Sequence, residues 1–173
     1  MTSDRVAVIT VSDRCARGEA EDRSGPTAVS LLEQAGLTDV STYVVPDGVE
    51  SVRDVLRTAL DDGAQLVITT GGTGITPRDL TPEGTRDVLD YEIPGIAESV
   101  RQQGIAAGVP TAALSRGLAG LARAADGTRA LVVNLPGSSG GVRDGLQVVL
   151  TLWPHVRSQL TGGDHPPVTA EQG

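Results

Sequence analysis

The sequence predicts an α/β domain whose largely parallel sheet is covered by helices on both faces. Two observations lead there. Val/Ile-rich segments alternate with stretches whose apolar residues recur at helical spacing. The segment 64–70 (AQLVITT) is apolar enough to be buried on both faces, as central parallel strands are.

Taken in order, residues 5–12 form the first strand. Residues 24–35 place Ala28, Leu31, Leu32 and Ala35 at helical spacing, and Gly36 stops the helix. Residues 40–45 are a second strand. Val49, Val52, Leu56, Ala59 and Leu60 then make a strong helical stripe that ends at Gly63. Residues 64–70 are the third strand. Thr81-Pro82-Glu83 is a helix start: a capping residue, Pro at the first helical position, then an acid near the positive helix end. Pro94 opens another helix through Ile96, Val100 and Ile105. Residues 112–121 and 129–135 flank the polar turn Ala125-Asp126-Gly127-Thr128, which predicts a hairpin. Val142, Leu146, Val149, Trp153, Val156 and Leu160 share one face of a closing helix, and Pro154 within it predicts a kink. Residues 1–160 are therefore expected to form the domain, and the Gly/Pro-rich, polar residues 161–173 a disordered tail.

Composition narrows the function classes. The formal charge is −8, and all 14 basic residues are arginine. An acidic chain without a basic run is a poor nucleic-acid binder, because phosphate neutralisation dominates that affinity. Two Tyr, one Trp and no Phe leave few stacking platforms for single strands. Without lysine there is no Schiff-base chemistry and no P-loop lysine. No stretch approaches the ~18 consecutive apolar residues of a membrane helix, and the N-terminal apolar stretch lacks a cleavage site for a signal peptide. The lone cysteine, Cys15, allows no internal disulfide and disfavours zinc. A reducing, cytoplasmic setting is expected.

In sheets of this kind ligands bind beyond the carboxyl ends of the strands. Four loops follow strand ends: Ser12-Asp13-Arg14, Pro46-Asp47-Gly48, Thr70-Gly71-Gly72-Thr73-Gly74, and Asn134-Leu135-Pro136-Gly137-Ser138. In the third, Gly71, Gly72 and Gly74 allow positive φ and let backbone N–H groups approach an anion; Thr70 and Thr73 add hydroxyls. It is neither a Walker A loop nor a dinucleotide fingerprint. Its alternative reading is a flexible connection. Asp47 and Asp79 stand beside these loops. Two such carboxylates could hold Mg²⁺ against nucleotide phosphates, since Mg²⁺ commonly takes one or two protein carboxylates plus phosphate oxygens. Asp47 could equally be a turn or cap residue, and Asp79 a solvated loop acid.

Gly137-Ser138-Ser139-Gly140-Gly141 also matches the Gly-x-Ser-x-Gly elbow of α/β-hydrolases. A hydrolase would need an acid and a histidine later in the chain, where only His155 and His165 remain, and no sheet follows Ser139. A phosphate-contacting turn at a helix N-terminus fits that segment better.

Together these stretches resemble the molybdopterin adenylyltransferase family, which includes the Mog and MoaB proteins and the G domains of gephyrin-like proteins. The resemblance rests on Ser12-Asp13, Glu21-Asp22-Arg23-Ser24-Gly25, Pro46-Asp47, the run from Thr69 to Gly74 continued by Arg78-Asp79-Leu80-Thr81-Pro82-Glu83, Leu114-Ser115-Arg116, and Asn134-Leu135-Pro136-Gly137-Ser138. It implies a three-layer α/β/α sandwich with a mostly parallel sheet, a homotrimer, and transfer of AMP from ATP to molybdopterin with release of pyrophosphate. Asp47 and Asp79 match the family's acidic catalytic positions and would organise Mg²⁺ and the triphosphate. Thr70, Gly71, Gly72, Thr73 and Gly74, with Ser115, Asn134, Pro136, Gly137 and Ser138, would hold the pterin and its phosphate. Ser12, Asp13 and Asp22 would lie on the nucleotide side. A molybdenum-inserting protein would be a partner. The family often carries a lysine just after the Pro-Gly turn, where this chain has Ser139-Gly140-Gly141; Arg143 is the candidate replacement. The alternative within the family is a molybdopterin-binding carrier or scaffold without catalysis.

Overall fold

Strand β1 (Arg5–Val11) lies between β2 (Asp39–Val45) and β3 (Leu66–Thr70), and β6 (Arg129–Leu135) follows β3; these four strands run parallel. β5 (Ala119–Arg123) pairs antiparallel with β6, and β4 (Leu89–Glu92) antiparallel with β5. The sheet order is β2-β1-β3-β6-β5-β4. This computed structural model describes residues 4–162. The expected tail lies outside them except for Thr161 and Gly162, which form a turn after the last helix.

Period-2 alternation along the central strands builds two cores. Val6, Val8, Leu66, Ile68, Leu131 and Val133 are buried on one face. They meet apolar residues of α2 (Ser24–Gln34), α5 (Pro94–Ala106) and α6 (Ser139–Leu160). Ala7, Ile9, Val67, Ala130 and Val132 face the opposite way, against Val52, Val55, Leu56, Ala59 and Leu60 of α3 (Val49–Asp61). Each fully buried Leu or Ile contributes ~1.5–3 kcal/mol of transfer free energy, so both faces must be covered. The result is the expected three-layer arrangement, with α4 (Thr81–Arg86) packed beside α3. Gly36 and Gly63 terminate α2 and α3 at φ +87° and +88°, the left-handed conformation that helix ends favour.

Three local readings differ from the expectation. Residues 13–16 form a one-turn helix, α1 (Asp13–Ala16), capped by the Ser12 side chain. β4 was not expected; its exposed, charged sequence LDYE has no apolar alternation to announce it. The hairpin is present, but its first arm is shorter than 112–121: Pro110–Leu114 is a 3-10 helix, and the strand begins only at Ala119. The closing helix α6 contains Pro154, as expected, and extends to Leu160. Proline removes the N–H that would bond the Leu150 carbonyl, yet Trp153, Val156 and Leu160 pack against the core and hold the last turns in place. Among the described residues no helix is long and apolar enough to cross a membrane.

Candidate active site

Because β2, β1, β3 and β6 are adjacent and parallel, their carboxyl ends open on one edge of the sheet, and the four suspected loops meet there. The Gly-rich loop after β3 is the centre. Gly71 and Gly72 have φ of +92° and +63°. A Cβ on Gly71 would lie 2.4 Å from the Val11 carbonyl oxygen, and one on Gly72 would lie 2.2 Å from Thr81 Oγ1. The loop is tied at several points. Gly71 N donates to the Leu135 carbonyl at 3.0 Å, and Thr81 donates to Gly71 O through Oγ1 (2.9 Å) and to Gly72 O through N (3.1 Å). Glycine here permits close packing, and the flexible-connection reading does not hold.

Asp47 and Asp13 exchange backbone bonds: Asp13 N donates to Asp47 Oδ2 at 2.8 Å, and Asp47 N to Asp13 Oδ1 at 3.2 Å. Arg78 closes this pair with a fork onto both Asp13 oxygens (3.0 and 2.9 Å) and a bond to the Asp47 carbonyl. The guanidinium holds the Asp13 carboxyl below its ordinary range, chiefly through the hydrogen bond and then through its charge. Asp47 is therefore not the cap of α3; Gly48 takes that position. Its Oδ1 accepts no hydrogen bond among the described residues and lies 3.2 Å from where a Gly72 Cβ would be.

Asp79 is half-buried. Its Oδ2 accepts from Thr76 N and Oγ1, at 2.8 and 2.7 Å. A Cβ on Gly74 would meet that same oxygen at 2.8 Å, so the carboxylate stands directly against the loop. Asp79 Oδ1, like Asp47 Oδ1, accepts nothing from the described residues. Each aspartate thus has one oxygen fixed by the protein and one available.

Two cavities flank the loops. The first, about 290 Å³, is bounded by Thr73 and Gly74, by Ser115, by Pro136 and Ser138, and by the facing sides of α5 and α6. The second, about 450 Å³, brings together Ser12 and Asp22 with Thr70, Gly71, Gly137 and Ser138. Ser138 belongs to both, and its Oγ caps α6 by accepting from Gly141 N at 3.0 Å. Asp22 is braced by Thr10 Oγ1 (2.6 Å), Ser24 Oγ and Gly25 N. Thr70 is fully buried, and its Oγ1 is paired with Ser24 Oγ at 2.8 Å.

Asn134 is not at the cavity surface. It is 3% exposed, its Nδ2 donates to Thr69 Oγ1 and Thr85 Oγ1, and its Oδ1 accepts from Leu118 N. It holds β3, α4 and the chain entering β5 together beneath the loops. Arg143 is exposed and lines neither cavity. The cation that does reach the first cavity is Arg101 of α5, half-buried, with Nη1 donating to the Ser115 and Gly117 carbonyls at 3.3 Å each. In the sequence it sits beside Val100 on an ordinary amphipathic helix, and only its charge at a half-buried position could have flagged it.

Arg116 was also missed as a functional residue. It donates to Gly74 O at 2.8 Å, to the Asp79 carbonyl, and to Glu83. One guanidinium thereby clamps the Gly-rich loop and the Asp79 turn to α4. The same bond, then the charge, holds the Glu83 carboxyl below its usual range, against some opposing burial.

Ser139 opens α6 after β6, as a nucleophile elbow would. His155 lies on the same helix, sixteen residues on, ~24 Å along the axis at the helical rise. His165 lies outside the described residues. No hydrolase triad can form from Ser139 and His155. Nor do three or more His, Cys, Asp or Glu side chains converge as a self-sufficient metal site among the described residues. An unpartnered carboxylate oxygen on each of Asp47 and Asp79 is the donor chemistry a hard cation would need if it drew its other ligands from a phosphate substrate.

Residues 7–156 match the family model described as a probable molybdopterin binding domain. The chain is 39% identical over 161 residues to the molybdenum cofactor biosynthesis bifunctional protein of Synechococcus elongatus, covering 93% of this chain and 49% of that protein. The chain thus spans about half the length of that relative, and 26% and 21% of cinnamon from Drosophila melanogaster and gephyrin from Dictyostelium discoideum. With the molybdopterin adenylyltransferase of Pyrococcus furiosus it shares 39% identity over 146 residues, 84% of each chain. Among solved structures, a molybdopterin biosynthesis protein from Mycobacterium abscessus superposes with a TM-score of 0.84 at 42% identity, covering 92% of this chain and 98% of that one. The match across nearly the whole domain, on a fold whose loops converge as described, makes this chain a member of the molybdopterin-binding family.

Proposed function

We propose that the chain is a molybdopterin adenylyltransferase that transfers AMP from ATP to the terminal phosphate of molybdopterin and releases pyrophosphate. The observation that carries this reading is that the Gly-rich loop and the Pro136–Ser138 turn contribute to both cavities, so two ligands would meet across them. In the reaction an oxygen of the pterin's phosphate attacks the α-phosphorus of ATP. A P–O bond forms, the bond from the α-phosphorus to the bridging oxygen breaks, and pyrophosphate leaves with the electron pair. Both partners are anionic, so alignment and charge neutralisation matter more than a general base.

Asp47 and Asp79 would hold Mg²⁺, which neutralises phosphate charge when bound. The chain's own groups do the rest. Arg78 and Asp13 fix Asp47, while Arg116 fixes the turn that carries Asp79. Thr73, Gly74 and Ser115 would face the pterin side, and Ser12 and Asp22 the nucleotide side. A homotrimer in the cytoplasm, delivering product to a molybdenum-inserting protein, completes the reading. Incubation with molybdopterin, Mg²⁺ and ATP should yield pyrophosphate and adenylylated pterin in equal amounts.

One observation favours the second reading, a carrier or scaffold that binds molybdopterin without catalysis. No lysine follows the Pro-Gly turn, and Arg143 lines neither cavity. Absence of product at every Mg²⁺ concentration, with molybdopterin still bound, would establish that reading instead.

A further inference from the structure

We propose that Asp144 and Arg101 read the hydrogen-bonding edge of the pterin ring, making the first cavity selective for a 2-amino-4-oxo heterocycle. This inference rests on the molybdopterin reading above and names the residues that would choose the ring.

The cavity sets two charged side chains of opposite sign among aliphatic groups. Val100, Val109 and Leu114 supply apolar surface, and Val109 and Leu114 are large hydrophobics left exposed. Among the described residues no aromatic lines it, so a flat ring would be held between aliphatic side chains. Gly104 lets the 3-10 helix approach α5, since a Cβ there would lie 2.7 Å from the Ala112 Cβ.

Asp144, on the second turn of α6, lines this cavity half-buried and takes no hydrogen bond or ion pair among the described residues. An ionised carboxylate offers acceptors only. The 2-amine and adjacent ring N–H of a pterin are two parallel donors, the arrangement that a carboxylate accepts in bidentate fashion. Arg101 presents the opposite chemistry. Its Nη1 is held by two carbonyls, and Nε and Nη2 make no hydrogen bond among the described residues. Those N–H groups suit the 4-oxo oxygen, as Arg suits the guanine O6.

The test compares two fluorescent probes on the full chain: pterin-6-carboxylate, and lumazine-6-carboxylate, in which an oxo group replaces the 2-amine. The wild-type chain should bind the pterin roughly tenfold or more tightly, since hydrogen bonds to charged groups are the stronger kind. Asp144→Asn should erase that preference mainly by weakening the pterin, and Arg101→Gln should weaken both probes because both carry the 4-oxo group. Equal wild-type affinity for the two probes, or no binding of the pterin, overturns the proposal. So does an Asp144→Asn chain that keeps the preference. The wild-type comparison needs no variant to fold. Pyrophosphate release with molybdopterin but no discrimination between probes would sink this inference alone. Discrimination without pyrophosphate release would sink only the adenylyltransferase reading.

Discussion

Asp79 illustrates how one side chain can hold a loop and still be available for chemistry. Oδ2 is committed to Thr76, and Oδ1 remains open beside Gly74. Asp79→Asn keeps the shape and removes the charge. Turnover should therefore fall by at least tenfold while the Kd for molybdopterin changes little, as measured by single-turnover kinetics beside equilibrium binding. Equal loss of both would make Asp79 a structural residue. The bridged acids carry a different consequence. Asp13 and Glu83 both have their carboxyls pulled below the ordinary range, first by hydrogen bonds from Arg78 and Arg116. A carboxyl with a lower folded than unfolded pKa favours folding at pH values above its unfolded value of about 4. That contribution is lost as pH falls through the lower folded value. The melting temperature should drop steeply on that acid limb, and Asp13→Asn should make the limb shallower. An unchanged acid limb in that variant would mean that the Arg78 bridge contributes nothing to stability.

At the scale of elements, Asn134 decides whether the strand ends stay in register beneath the site. It joins β6 to Thr69 of β3, Thr85 of α4 and the backbone of Leu118, all from inside the protein. Asn134→Ala strands the Thr69 and Thr85 hydroxyls, both fully buried. The expected loss is about 2–4 kcal/mol in urea unfolding, the range for buried polar groups left without partners. A variant as stable as the wild type would refute the locking role. The sequence made the elements easy to see where burial imposes a period. β1, β3 and α3 announce themselves because their apolar spacing answers to the core. β4 has little burial to answer to, and so left no pattern. The Gly-rich loop and the two aspartates were legible as local chemistry. Arg78 meeting Asp13, 65 residues away, was not, because such a bridge depends on how the sheet orders its strands. Asn134 was legible as a motif, and period 2 puts it on the opposite face from Val133 and Leu135. Its partners Thr69 and Thr85 were not legible, because they depend on how β3 and α4 pack.

At the scale of the whole molecule, a formal charge of −8 surrounds a site proposed to take two anions. Any attraction is local, from Arg101 on the pterin side, Arg23 at the second cavity, backbone N–H groups and the proposed Mg²⁺, while the long-range field repels. Screening weakens long-range terms first. With free Mg²⁺ held constant, kcat/KM for ATP should rise as NaCl increases from about 20 to about 150 mM, the reverse of a basic nucleotide site. A fall over that interval would show that exposed positive charge steers the nucleotide. The Gly-rich loop and the Pro-Gly turn also touch each other directly. Where Gly71 faces Gly137, a Cβ on Gly137 would stand 3.1 Å from Gly71 Cα, so the two chains touch backbone to backbone with no side chain between them. The two compartments are parted there by a bare peptide. On the proposed reaction, the phosphates of the two ligands would have to meet at this divider. Two rings would then occupy separate rooms, with a wall of bare backbone between them and the reacting phosphates at its edge.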